Sequence, residues 1–218
     1  MEALCVEARL ERAIVNPGQP IALDALLAYA EALRRDLMQP MRADEVEPLE
    51  LPLARSECGR YWLASFSEQR VEERSRAHVV RRPLVSEMID LAEDSVKTVH
   101  IGAGANKGYR IPLEIGHLEG DLMRWWCVGD AERIRSLLAH IHHLGRRRAV
   151  GRGKIKSWTV KPCEPWGEGF PVARDGQALR NLPTDYPGIT NPRLDYQPLT
   201  PPYWMRERAE EVFVPRVD

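Results

Sequence analysis

The sequence has no apolar run long enough to cross a bilayer, which takes about 20 residues as a helix. Its opening residues, MEALCVEARLE, lack the basic-then-apolar order of a secretory signal. Both absences lead us to expect a cytoplasmic protein with no membrane partner. Its four cysteines, Cys5, Cys58, Cys127 and Cys163, stand far apart with no C-x-x-C pair. That spacing argues against a zinc ribbon and offers no disulfide framework, so reduced, mostly buried thiols are expected. Fingerprints for nucleotide cofactors are also missing. A phosphate-binding loop of the form G-x-x-x-x-G-K-[ST] ending at Gly153-Lys154 would place Arg148 at its first glycine and Ile155 at its hydroxyl. Gly151-x-Gly153 is followed by Lys156 where a dinucleotide fingerprint needs its third glycine. The expectation is a chain with no cofactor and no metal, and no internal repeat is visible.

Acidic residues are absent from one stretch, and that absence organises the rest. From Arg133 to Cys163 there are nine Lys or Arg and three His, with no Asp or Glu. The whole chain balances 31 basic against 32 acidic residues, so everything outside this run is acidic overall and the near-neutral total hides a concentrated positive field. Such a field fits a polyanion, because phosphate contacts release counterions and supply most nucleic-acid affinity. Asp130 reads as a helix N-cap, and Ile134, Leu137, Leu138, Ile141 and Leu144 form one apolar stripe at helical spacing. Gly145 falls where a C-terminal cap is expected. Arg146, Arg147 and Arg148 follow, and Gly151-Arg152-Gly153 frees the backbone for close approach to a ligand. Ile155 to Val160, carrying Lys156 and Trp158, reads as a strand.

At 218 residues the chain is long enough for one large domain or two small ones. Val6, Ala8 and Leu10 alternate with Glu7, Arg9 and Glu11 as in a half-buried strand, and a turn at Asn16-Pro17-Gly18 ends it. Leu23, Leu26, Leu27, Ala30, Leu33 and Leu37 then trace a helix face, with Asp24 and the Arg34-Arg35 pair placed to suit the helix dipole. Strands are expected at Leu49 to Leu53 and Arg60 to Phe66. A charged stretch follows, then Arg81 and Arg82, then a glycine-rich basic loop containing Lys107 and Arg110. The predicted fold class is α+β. A strand-helix opening and a second strand-helix-strand set at 122–160 are the parts of a ferredoxin-like (RRM-like) unit. From Pro162 onward the composition shifts: ten of the 17 prolines fall there, beside Trp166, Tyr186, Tyr196, Tyr203 and Trp204. This predicts an extended tail without regular structure, docked through its aromatics, among them Trp166, Tyr203 and Trp204.

His140, His142 and His143 are the first suspects for acid-base chemistry. On a helical wheel they do not converge on one point, and their spacing misses the i, i+4 placement that aims two imidazoles at one metal. Trp125 and Trp126 should face opposite sides of a strand, one into the core. Trp158 shares a strand face with Lys156, an arrangement suited to stacking a base beside a phosphate contact.

The run LLAHIHHLGRRRAVGRGKIKSW, preceded by WWCVGD, resembles the glycine-rich loop signature of the RAMP superfamily of CRISPR-associated RNA-binding proteins. Within it the similarity is to the Cas-five-type subunit of type IV effector complexes, which caps the 5′ handle of the guide RNA. PIALDALLAYA resembles that family's first helix, and the resemblance spans residues 1 to about 163. It implies a RAMP body over 1–161 made of one complete and one modified ferredoxin-like unit, with an inserted thumb around 67–110 and a tail at 162–218. It implies a non-catalytic subunit whose Arg146, Arg147, Arg148, Gly151, Arg152, Gly153, Lys154, Lys156, Trp158 and His143 meet the guide RNA. Lys107, Arg110, Arg81 and Arg82 would act from the thumb. The partners implied are the repeated backbone subunit, a large subunit and target DNA near its flanking motif. The rival reading is a metal-independent endoribonuclease that matures the guide RNA.

Overall fold

The computed structural model describes residues 1–15, 20–35, 49–80, 110–146 and 151–216, with side chains at 77–80 and 110–113 outside the description. In chain order the strands are β1 (Glu2–Leu10), β2 (Ile14–Val15), β3 (Val71–Val80), β4 (Arg110–Leu118), β5 (Leu122–Gly129), β6 (Ile155–Pro162), β7 (Ala173–Arg174), β8 (Gln177–Ala178), β9 (Leu182–Pro183), β10 (Leu194–Gln197) and β11 (Glu210–Phe213). Among the described residues the α-helices are α1 (Leu23–Arg34) and α2 (Ala131–Leu138).

The period-two pattern of β1 sends Leu4, Val6, Ala8 and Leu10 into the core and turns Glu7 and Arg9 outward. β1 is the centre of the main sheet, antiparallel to β5 on one side and to β6 on the other. Beyond β5, the segment 53–68 follows its free edge through antiparallel bridges Leu53↔Gly129, Ala64↔Cys127 and Glu68↔Arg124. Read across, the sheet runs β6, β1, β5 and then this irregular edge, with both helices on the inner face. That order is compatible with a ferredoxin-like fold. The strands expected at Leu49–Leu53 and Arg60–Phe66 are thus isolated bridges. Pro52 lacks an N–H for a ladder, and the chain doubles back on itself between Arg55 and Trp62, with the Arg55 guanidinium 3.9 Å above the Trp62 ring. The other described strands form the β2–β4–β3 sheet and small C-terminal sheets. β3 and β4 are long and pair antiparallel, and the residues between them, 81–109, lie outside the described residues.

α1 packs Leu23, Leu27 and Ala30 against the sheet. Glu31 near its end is clamped by Arg34 at 2.7 Å and Arg35 at 2.5 Å. The hydrogen bond from Arg34, helped by Arg35, holds its carboxyl well down, at about 2. A depressed carboxyl contributes stability that is complete above its unfolded value near 4.5 and is lost as pH falls through about 2. Glu31→Gln is accordingly expected to flatten the decline of thermal stability between those two pH values, checked by melting the two proteins side by side. A parallel decline in both would refute the assignment.

In α2, Asp130 caps the helix as expected, accepting from the Arg133 N–H at 3.1 Å. The helix stops at Leu138, six residues before the apolar stripe ends. After two tight turns the chain becomes extended, and Leu144 donates its N–H to the Gly153 carbonyl at 2.8 Å. Ile141 and Leu144 still reach the core from outside the helix, which is why the stripe looks like a longer one.

The C-terminal segment corrects the expectation of an extended tail without regular structure. It forms the short strands β7 to β11 and, with Tyr61 of the body, a second apolar core of Val172, Ala173, Ala178, Leu182, Leu199 and Val212. Trp166 docks edge-on against Trp126 at 5.4 Å, and Tyr203 packs edge-on against Phe66 at 5.5 Å. Trp204, also expected to dock, is 66% exposed, because its neighbour Met205 takes the inward position. Among the cysteines, Cys5 and Cys127 are buried, Cys163 is half-buried and Cys58 is exposed; none is paired.

Candidate nucleic-acid interface

The basic loop is held to the body by its own backbone. Gly153 donates its N–H to the Ala13 carbonyl at 3.0 Å, Glu11 donates to Lys154 at 2.8 Å, and Ile155 donates to His142 at 2.9 Å. Two glycines make this path available for different reasons. Gly153 has φ +61°, and a Cβ there would sit 2.0 Å from the Leu144 carbonyl oxygen. Gly151 has φ +76° with nothing within 4 Å of its missing side chain. The close approach at Gly153 is therefore to the chain itself, while Gly151 faces open space where a ligand can come near.

Around this frame Arg146 is exposed, Arg152 half-buried and Lys156 exposed. Lys154 is not free: its ammonium pairs with Glu11 at 2.7 Å. That hydrogen bond, with the charges of Lys154, Arg12 and Lys156, holds the Glu11 carboxyl below its ordinary value. Arg9 and Arg12, both exposed, were not singled out from the sequence. The outward register of β1 was the available signal for Arg9.

Lys156 and Trp158 do not share a face. The pairing of β1 with β6 skips a residue between Arg9↔Ser157 and Leu10↔Ile155, so Lys156 lies in a β-bulge. The bulge keeps Lys156 and Ser157 exposed while Trp158 leans inward, its ring 5.7 Å from Trp125 and its N–H donated to the Ile141 carbonyl at 3.0 Å. Trp125 is fully buried, and its neighbour Trp126 lies on the opposite face as expected. His140 and His142 are exposed and His143 is half-buried, its backbone bridging to Lys154. Arg81, Arg82, Lys107, Arg147 and Arg148 lie outside the described residues; Arg110 opens β4 with its side chain outside the description. Among the described residues no three His, Cys, Asp or Glu side chains are close enough to hold a metal ion, and no helix is long and apolar enough to cross a membrane.

Fold and loop together define an α+β protein, compatible with a ferredoxin-like fold, that carries a basic loop hydrogen-bonded to one end of its main sheet. A sequence model of the family described as CRISPR type IV associated protein Csf3 matches residues 2–215, nearly the whole chain, and the chain belongs to that family. No curated protein matches the sequence.

Proposed function

We propose that this protein is the non-catalytic, guide-RNA-binding subunit of a type IV CRISPR ribonucleoprotein in the cytoplasm. It caps the 5′ handle of the guide and starts assembly of the backbone subunits, with a large subunit and target DNA as further partners. The observation that carries this reading is the acid-free run from Arg133 to Cys163, whose loop is anchored through Gly153 and carries exposed Arg146 and Lys156 on either side of Gly151 in sequence. Such a frame orders phosphate-binding groups before the ligand arrives, which lowers the entropic cost of binding. The long antiparallel pair of β3 and β4 supports the thumb role expected for 67–110.

Phosphate contacts carry no sequence information. Arg146→Glu with Arg152→Glu is expected to weaken binding of unrelated single-stranded RNAs alike. It should also reduce the slope of log affinity against log salt by about 1.4, at roughly 0.7 per contact. Unchanged affinity and slope would show that the loop is not the RNA site. The rival endoribonuclease reading draws on the exposed His142 and half-buried His143 beside the loop. A single cut of repeat RNA in EDTA, lost on His142→Ala or His143→Ala, would favour it.

A further inference from the structure

A cleft of about 540 Å³, none of whose lining residues belongs to the basic loop, opens between the irregular sheet edge, Trp126 on the outer face of β5, and the C-terminal segment. Its lining is unusual in charge: Arg70, Arg74, Arg174 and Arg216 against one carboxylate, Glu68. Arg174 lies 4.9 Å over the Trp126 ring and 5.2 Å over Trp166, with Glu68 at 3.1 Å. Arg70 reaches out of the cleft to Glu119 at 3.3 Å, and both side chains are more than half exposed. Arg74 likewise pairs with Glu114 at 2.7 Å. Arg216 donates to the Asn191 side-chain oxygen. Exposed ion pairs of this kind are weak and screened by salt, whereas an arginine fork on a phosphate makes charge-assisted bonds. Exchange of such partners for phosphate is therefore favourable.

The outer face of the main sheet joins this cleft to the loop. Along β1, Arg9 stands opposite Leu122 and Ser157, and Cys5 opposite Trp126. The four residue steps from Cys5 to Arg9 span about 13 Å at strand rise. Across that distance the face presents Arg124, Ser157, Thr159 and Lys161. Of the carboxylates here, Glu7 is paired with Arg124 at 3.0 Å and Lys161 at 3.1 Å, and Glu68, bridged to Arg124 at the sheet edge, with Arg174 at 3.1 Å.

We infer that the arginine-lined cleft is a second phosphate-binding stop for single-stranded RNA, reached from the basic loop across the outer sheet face. The inference rests on the RNA-binding reading above and deepens it by giving the strand a direction over the protein. The cleft shares the composition of sequence-tolerant single-strand grooves, a basic track with aromatic rings at its wall.

The test uses the full chain and fluorescence anisotropy with RNAs of about 5 and about 16 nucleotides, lengths that bracket the site size of one small binding fold. Arg70→Ala with Arg216→Ala is the variant, since both side chains are exposed and lie outside the apolar cores. The expected result is several-fold weaker binding of the longer RNA, with a salt slope lower by about 1.4, while the shorter RNA binds as before. Unchanged binding of the longer RNA overturns the inference, and so does an equal loss on both lengths. The underlying reading fails separately, if Arg146→Glu with Arg152→Glu leaves both RNAs bound as tightly as the parent protein does.

Discussion

Arg180→Met is expected to lower the free energy of unfolding by about 3–5 kcal/mol, the range found when one partner of a buried ion pair is removed. Arg180 is fully buried and ties the C-terminal segment to the body. Its guanidinium donates to Asp24 of α1 at 3.2 Å, to the Ala64 carbonyl at 3.2 Å, to the Tyr203 hydroxyl at 3.1 Å, and to the carbonyls of Trp62 and Leu199. Tyr203 in turn donates its hydroxyl to Asp24 at 2.8 Å. Burial pushes the Asp24 carboxyl up, opposed by the Arg180 charge, the Tyr203 hydroxyl and the Ala25 N–H. Burial also pushes the Tyr203 hydroxyl well above its ordinary value, so it remains a donor. Without Arg180, Asp24 loses its only charged partner in this network and the variant should become less stable as pH rises above the ordinary carboxylate range. Urea denaturation of the two proteins at several pH values checks both effects. A loss under about 1 kcal/mol with no new pH dependence would mean that the pair carries no net stability. Trypsin gives a second readout. In the parent protein Arg180 is hidden while Arg193 is exposed, so a new cut near the network in Asp24→Ala would show it opened.

Gly153→Val is expected to cost about 2–4 kcal/mol, combining a left-handed backbone with a side chain driven into the Leu144 carbonyl. The loop cannot keep its seat on Ala13 with that side chain present, so RNA affinity should fall as well. Gly151→Val is the informative contrast, because its φ of +76° is similar but no atom lies within 4 Å. It should cost only the conformational part, about 1–2 kcal/mol, and any larger loss in RNA binding would come from the ligand meeting the new side chain. Equal thermal destabilisation of the two variants would contradict the assigned difference between the glycines.

Much of the frame was legible in the residues. The alternation of β1 named the core strand and its outward charges, Asp130 marked the start of α2, and the acid-free run marked where positive charge collects. Legibility failed where a local pattern met a non-local partner. The stripe from Ile134 to Leu144 continues past the helix end because burial, not helicity, is what an apolar pattern reports. Lys156 and Trp158 look like face-mates until a bulge opposite Leu10 shifts one of them. The prolines of the C-terminal segment exclude long strands, yet two-to-four-residue strands suffice once Tyr61 and Leu63 of the body complete an apolar core.

The same division applies to charge. By itself the sequence determined the α+β class, the main strand and the basic run, each of which rests on a local pattern, and it carried the resemblance to the family. Only the tertiary structure decided which charges are available. Asp24, read from the sequence as a helix-dipole residue, is consumed by Arg180 from 156 positions away. Lys154 is consumed by Glu11, and Arg174 is brought over Trp126. A charge is spent or left free by what lies within a few ångströms of it, and residues distant in sequence supply most of those neighbours in an antiparallel sheet wrapped by its own C-terminal segment.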